Sequence, residues 1–220
     1  PIVALSQKYL TDPVEVTAYG DLNVYGKAGT FRHTNCRTCP HKAKCPFFWD
    51  LTKDARLMKL YAECEDVDGY MRDGCVFKED IDIYDTMSAA VKYSNGVSMS
   101  YSLNASMPIE GYRIAFNGTK GRLEVRDYER QPWPEQLQSE IYLIKSFPRG
   151  RERIEMPNIA GGHSGGDDRL REVIFKNAQV PEHLKLPDSR AGAMSCLTGI
   201  AARTSIEQKR PVKISELIRL

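Results

Sequence analysis

Between residues 86 and 156 the sequence is written largely in period two, and that constrains the fold more than any other feature. MSAAVKY (87–93) and VSMSYSLNA (97–105) flank Ser94-Asn95-Gly96. Asn-Gly accepts the positive φ angles of a tight turn, so the pair reads as a β-hairpin. YRIAF (112–116) and RLEV (122–125) flank Asn117-Gly118-Thr119-Lys120-Gly121, a second hairpin with a longer loop. SEIYLI (139–144) and ERIEM (152–156), separated by Pro148 and Gly150, form a third pair. Hairpins in succession make an antiparallel sheet, and a sheet needs helices or another layer to cover its apolar face.

The rest of the chain supplies those parts. Residues 4–10 read as the last turns of a helix that Asp12-Pro13 ends, because a proline disfavours helix in the residue before it. From Val14 to Val24 the pattern predicts a strand, with Val14, Val16 and Ala18 on one side and Glu15 and Thr17 on the other. Residues 49–62 read as a short helix. Residues 167–178 read as another, opened by Asp167 and Asp168, which suit the exposed amides and positive dipole of a helix start. A longer helix is expected over 188–208, lined by Ala191, Gly192, Ala193, Ser195, Cys196, Gly199, Ala201 and Ala202, small enough to lie close against a sheet. Lys209-Arg210-Pro211 ends it before a last strand, VKI (212–214). The expected class is α+β, a two-layer arrangement. It has an open, largely antiparallel sheet of about six or seven strands, with helices packed on one face. All of residues 1–220 read as one domain.

Composition removes several function classes. At 41% apolar and 27% charged residues, the chain has the makeup of an ordinary globular domain. A net charge of +2 gives no field for a nucleic acid or a membrane surface. Arg149, Arg151 and Arg153, broken up by Gly150 and Glu152, read as a solvated strand edge. No apolar run approaches the roughly 18–20 residues that span a bilayer, and residues 1–10 lack the pattern of a secretory signal. The expectation is a cytoplasmic protein with no nucleic-acid or membrane partner. The sequons at Asn104 and Asn117 are then turn or strand residues. The chain opens on Pro1, inside what reads as the end of a helix, as a fragment would.

Six cysteines are too few for a disulfide scaffold of this length. Three of them, Cys36, Cys39 and Cys45, fall within ten residues of an irregular stretch, about 27–48, that resembles an inserted loop. Two cysteines three positions apart can close on one ion, and a third completes most of a thiolate site. His33, His41, Cys64 or Cys75 could supply a fourth ligand to zinc, and an iron–sulfur cluster would also accept cysteine. A reduced loop or one local disulfide is the alternative. A nucleic-acid role for this loop, through Arg32, Arg37, Lys42 and Lys44, has little support, since Phe47, Phe48 and Trp49 read as core anchors.

Two further sites stand out. Gly161-Gly162-His163-Ser164-Gly165-Gly166-Asp167 surrounds one histidine with glycines that let backbone approach a ligand, directly before a helix whose first amides are free. Arg72 and Asp73, near Cys75, could orient a polyol or a carboxylate through charge-assisted hydrogen bonds. Asp85 caps a turn before a strand or faces substrate.

Several phrases, in order, resemble the C-terminal domain of the Gfo/Idh/MocA oxidoreductases. They are DPVEVTAYGDLNVYG (12–26), DGYMRDGCVF (68–77), YSNGVSMSYSLNA (93–105), EGYRIAFNGTKGRLEV (110–125), GGHSGGDDRL (161–170) and SRAGAMSCLTGIAARTSIEQKRPVKI (189–214). The resemblance implies a substrate and oligomerisation domain, which in such proteins follows a Rossmann domain that binds NAD or NADP. It places His163, Gly165, Gly166 and Asp167 at the cleft for a sugar or polyol, and implies a homo-oligomer, such as a dimer, through the sheet. The glycine-rich dinucleotide fingerprint and the family's Glu-Lys-Pro segment have no counterpart here. No catalytic or cofactor-binding residue is therefore assigned to this chain, and alone it is expected to be inactive as a dehydrogenase. The other reading is a non-enzymatic oligomerisation or binding module with a structural metal in the Cys-rich loop.

Overall fold

The computed structural model describes residues 12–134, 139–156, 163, 165–180 and 187–218. The chain is α+β, and among the described residues eight strands hydrogen-bond as two antiparallel sheets of four. The chain also forms two compact units. One takes the sequence up to Ser106 and again from Pro187, and the other runs from Met107 to Leu186. Each unit holds one sheet.

The first sheet has the order β3-β2-β1-β8, with β1 at Pro13–Asp21, β2 at Thr86–Tyr93, β3 at Ser98–Asn104 and β8 at Val212–Lys213. The Asn95-Gly96 hairpin forms as expected, with Gly96 at φ +87° and the Asn95 side chain accepting from Val97 N. Val16 and Ala18 are buried, but Val14 is exposed. A register shift between Pro13 and Glu15 takes Val14 out of the inward row.

α4 (Ser189–Gln208) lies along β1. Asp188 caps it, accepting from Ala191 N at 2.8 Å. Val16, Val91, Tyr93, Met194, Ala201, Val212 and Ile214 make the core between helix and sheet. Each fully buried aliphatic side chain there contributes roughly 1.5–3 kcal/mol. The small residues let the helix approach, and Ser205 uses that closeness. Its buried hydroxyl donates to Arg210 O (2.6 Å) and accepts from Ala18 N (3.0 Å), tying the helix end to β1. A Cβ on Gly20 would meet Ile206 Cδ1 at 2.8 Å and the Tyr84 ring at 3.0 Å, so a side chain at that strand position would have to displace them.

Between β1 and β2 the chain makes a long excursion with little regular structure. It contains α1 (Ala55–Leu60), capped by Asp54 through Arg56 N and Leu57 N, and α2 (Glu65–Asp68). The helix expected over 49–62 is thus broken into short pieces, because Asp50 and Asp54 each capture nearby amides and restart the chain. Asp85 closes the excursion. Its buried carboxylate accepts from the backbone N–H of Asn23 (2.9 Å), Val24 (2.7 Å) and Tyr25 (2.9 Å). Asp85 therefore fastens the chain leaving β1 to the start of β2 and is a structural residue.

The second sheet has the order β4-β5-β6-β7, with β4 at Glu110–Gly118, β5 at Gly121–Arg130, β6 at Glu140–Lys145 and β7 at Gly150–Ile154. The β4–β5 loop is shorter than expected, since Asn117, Gly118 and Gly121 remain in the ladder. Register puts Ile114, Phe116, Leu123, Val125, Ile141, Leu143 and Ile154 on one face. Arg113, Arg122, Glu124, Arg126, Arg151 and Arg153 fall on the other. β7 is an edge strand, exposed throughout, in keeping with a solvated arginine-rich edge. α3 (Gly166–Lys176) belongs to this unit. The helix expected at 4–10 lies outside the described residues.

Replacing Ser205 with valine should destabilise the chain by about 1–3 kcal/mol, because it orphans Ala18 N–H and Arg210 C=O in a buried position. Urea unfolding followed by circular dichroism measures this. Cys196→Ser, on the exposed side of the same helix, should change stability by less than about 0.5 kcal/mol.

Candidate functional site

Three places in the fold gather chemically useful groups. The first is the start of α3. His163 stands at φ +49° and Gly165, the residue before the helix, at φ +79°. Two left-handed residues in close succession turn the chain sharply into the helix, and glycine takes that conformation at least cost. Gly166 N donates to His163 O at 3.1 Å. His163 Nδ1 lies 2.9 Å from Asp167 Oδ1, one helical turn on. The carboxylate orients the imidazole and leaves Nε2 outward, with 87% of the side chain exposed. The arrangement can offer a hydroxyl-bearing ligand a ring nitrogen beside the first amides of a helix. Three of the expected loop residues, at 161, 162 and 164, lie outside the described residues.

The second place is a small pocket of about 130 Å3 within the β1–β2 excursion. Cys36, Cys39, Cys45 and Cys75 line it together with Asp73 and a wall of aromatic rings. Asp73 does not pair with Arg72. Its buried carboxylate accepts from Arg37 N and Arg37 Nε, both at 3.0 Å, and Arg37 reaches on to Glu65. Arg72 donates to Tyr70 OH at 3.2 Å and lies over the Tyr61 ring, 5.3 Å from its centroid. The expected Arg72–Asp73 clamp is therefore divided, because the backbone reversal at 73–75 turns the two side chains to different neighbours. Arg37 is the partner that the sequence did not single out. Its only signal was its place inside the cysteine cluster.

Sequence spacing brought Cys36, Cys39 and Cys45 together, and the structure adds Cys75. Burial pushes the Cys36 thiol up. The N–H of Trp49 acts against that shift, while Asp73, Cys45 and Cys75 reinforce it. The four sulfurs line the pocket without closing on a common point, and among the described residues no three His, Cys, Asp or Glu side chains form a ready metal group. No disulfide joins them. His33 and His41 are engaged elsewhere, His33 Nε2 with Thr38 Oγ1 at 3.1 Å and the His41 ring against Phe31. Cys64 is exposed and bonds Lys59 O.

The third place is a groove of about 540 Å3 beside α4, over the helix-facing side of β2 and β3. Met87, Ala89, Val91, Met99 and Tyr101 form its floor, while Ser195, Gly199 and Arg203 of α4 form one wall. The small residues of α4 thus serve two surfaces. Ala191, Ala201 and Ser205 pack against the sheet, and Ser195, Gly199 and Ala202 border open space. The sequence showed the first use only.

With these sites described, comparison with known proteins adds a further observation. Residues 55–214 match a family model, that of Gfo/Idh/MocA, described as "Oxidoreductase family, C-terminal alpha/beta domain". The chain is 35% identical over 228 residues to YteT of Bacillus subtilis (strain 168), a protein named as an oxidoreductase. The match takes in 95% of this chain and 52% of that protein, so the chain spans about half the length of the curated relative. Among solved structures, levoglucosan dehydrogenase in its apo form is similar with a TM-score of 0.55 at 13% identity, over 96% of this chain and 48% of that one. An NAD binding oxidoreductase from Klebsiella pneumoniae is similar with a TM-score of 0.54 at 14% identity, over the same share of each chain. Likeness at such identity speaks for the fold.

Replacing Asp73 with alanine should leave the Arg37 amide and guanidinium without their acceptor and cost about 2 kcal/mol or more, measured by thermal unfolding. Arg72→Ala should cost less than about 1 kcal/mol in the same assay, since its contacts are exposed. The pH dependence follows from Asp85. Burial alone would raise its carboxyl, but the three backbone N–H groups outweigh burial and hold it below the usual range. Its contribution to stability should be fully present above the unfolded carboxylate pKa, about 3.9, and be lost as pH falls through the lower folded value. Asp85→Asn should flatten that acid limb in urea titrations at a series of pH values.

Proposed function

The chain belongs to the Gfo/Idh/MocA oxidoreductase family through its C-terminal α/β domain, and from that premise we propose that it forms the substrate side of a nicotinamide-dependent sugar or polyol oxidoreductase. On this reading residues 1–220 act as one substrate and oligomerisation domain, with the Cys-rich loop at about 27–48 as an insertion. The family match over residues 55–214 is the observation that carries the proposal. NAD or NADP would be held by a Rossmann domain outside this sequence, and the hydride would pass between the nicotinamide and a carbinol carbon.

The part of this chain is binding and orientation. Asp167 holds the His163 ring by Nδ1, so that Nε2 can bond a substrate hydroxyl while the free amides at the start of α3 meet a second oxygen. Gly165 and Gly166 keep the approach clear of side chains. Arg72, exposed, is available to a polar substrate, whereas Asp73 is committed to Arg37 and supports the loop. His163 is offered as a substrate-binding residue. The proton of the reacting hydroxyl is left to groups on the cofactor side.

The second sheet supports the oligomer reading. Its apolar face carries Phe116 at 45% and Ile154 at 39% exposure, more than one core needs to leave open. We assign that face to a homo-oligomer interface.

Kinetics test the proposal. In the protein carrying both halves, turnover of a panel of sugars and polyols is followed by nicotinamide absorbance. His163→Ala should raise KM for the preferred polyol roughly tenfold, about 1.4 kcal/mol, and leave cofactor affinity unchanged. A KM that does not move removes His163 from the substrate site, and no turnover on any polyol removes the substrate class. Phe116→Glu should shift the mass in light scattering from oligomer to monomer.

A further inference from the structure

We propose that Cys36, Cys39, Cys45 and Cys75 form a tetrathiolate site for a single zinc ion, which fastens the β1–β2 excursion. The inference is independent of the enzymatic reading and rests on how the residues are placed.

The four cysteines come from two ends of one irregular segment and line one small pocket. The bridge between Asn35 and Gly74 brings those ends together, with Cys36 N bonded to Asp73 O (2.9 Å) and Cys75 N to Thr34 O (3.1 Å). Cys36 stands opposite Asp73 in this pairing, and Cys75 is two residues further on. The two cysteines are thus diagonal neighbours on one side of the bridge. Cys39 and Cys45 are carried by the turns that follow, with Cys39 N on Cys36 O and Cys45 N on His41 O. The zinc ligand spacing begins with the Cys36-x2-Cys39 pair, as such sites require.

Two further features fit an electron-rich centre. A backbone amide already points at sulfur, His41 N at Cys39 Sγ (3.4 Å). N–H donors aimed at sulfur orient and stabilise ligating thiolates. Asp73, whose side chain is fully buried and lines the same pocket, has Oδ1 without a partner. Arg37, held by the other oxygen of that carboxylate, sets a positive charge at the edge of the cysteine cluster, as a tetrathiolate centre of net negative charge requires.

The candidate fourth ligands are separated by position. His33, His41 and Cys64 have other partners and none of them lines the pocket, whereas Cys75 does. Zinc at about 2.3 Å from each sulfur needs neighbouring sulfurs about 3.8 Å apart. The present arrangement, in which no three donors close on one point, therefore has to tighten by χ1 rotations of the cysteines when the ion binds. Binding would exchange thiol protons for metal and crosslink both ends of the excursion.

The test is metal content of the protein purified without chelator, by plasma mass spectrometry. About one zinc per chain is expected, falling at least fivefold in Cys39→Ser and in Cys75→Ser and unchanged in Cys64→Ser and Cys196→Ser. Because the serine variants can lose the fold, the unaltered protein is also stripped of metal and titrated with cobalt(II). Tetrahedral d–d bands and a sulfur-to-cobalt charge-transfer band saturating at one equivalent are expected. Absence of both zinc and cobalt bands overturns the proposal, as does iron with acid-labile sulfide. Equal loss of zinc in Cys64→Ser and Cys75→Ser overturns the ligand set.

Discussion

Two buried carboxylates hold the part of this molecule that has little regular structure of its own. β1 and β2 are adjacent in the sheet, yet the chain between them makes a long irregular excursion. Closing so long a loop costs entropy, and the loop's backbone groups must find partners away from the sheet. Asp85 gathers three amides at one end of the excursion. Asp73 gathers the amide and guanidinium of Arg37, tying the two arms of the excursion together. With both in place, β1 and β2 can pair along their whole length and α4 can settle on β1. A carboxylate suits this task because it accepts several hydrogen bonds at once, each strengthened by its charge.

The other consequence of that anchoring is where chemistry is placed. The Cys-rich pocket lies inside the anchored excursion, walled by Phe31, Phe47 and Phe77 and tied by Arg37 and Asp73. The His163–Asp167 pair stands instead at an exposed helix start in the other unit. One site is enclosed and suited to a small ion. The other is open and suited to a larger, hydroxyl-bearing molecule.

Local signals in the sequence carried most of the fold. The three hairpins were legible because turn residues and period-two alternation agree, as at Asn95-Gly96. α4 was legible from its small residues and from Asp188. The division of the strands into two sheets was not, because which strands pair across a connection depends on tertiary contacts that periodicity does not record. Nor was the fragmentation of 49–62, where Asp50 and Asp54 compete with helix in ways that apolar spacing hides. In the Cys-rich loop, spacing gathered Cys36, Cys39 and Cys45, but Cys75 was one of several candidates to join them, and only folding brings it to the same pocket. Arg72 and Asp73 were read as a pair because they are neighbours. In the fold, adjacent residues diverge, and the true partner of Asp73 is Arg37.

The central claim is that this chain presents a polyol to a nicotinamide held elsewhere. Hydrogen exchange on the protein that carries both halves tests it most directly. The account predicts that an added polyol slows exchange of the amides at 165–169, at the start of α3, while the nicotinamide cofactor alone leaves them unchanged. Unchanged exchange there with a polyol that the enzyme turns over would contradict it.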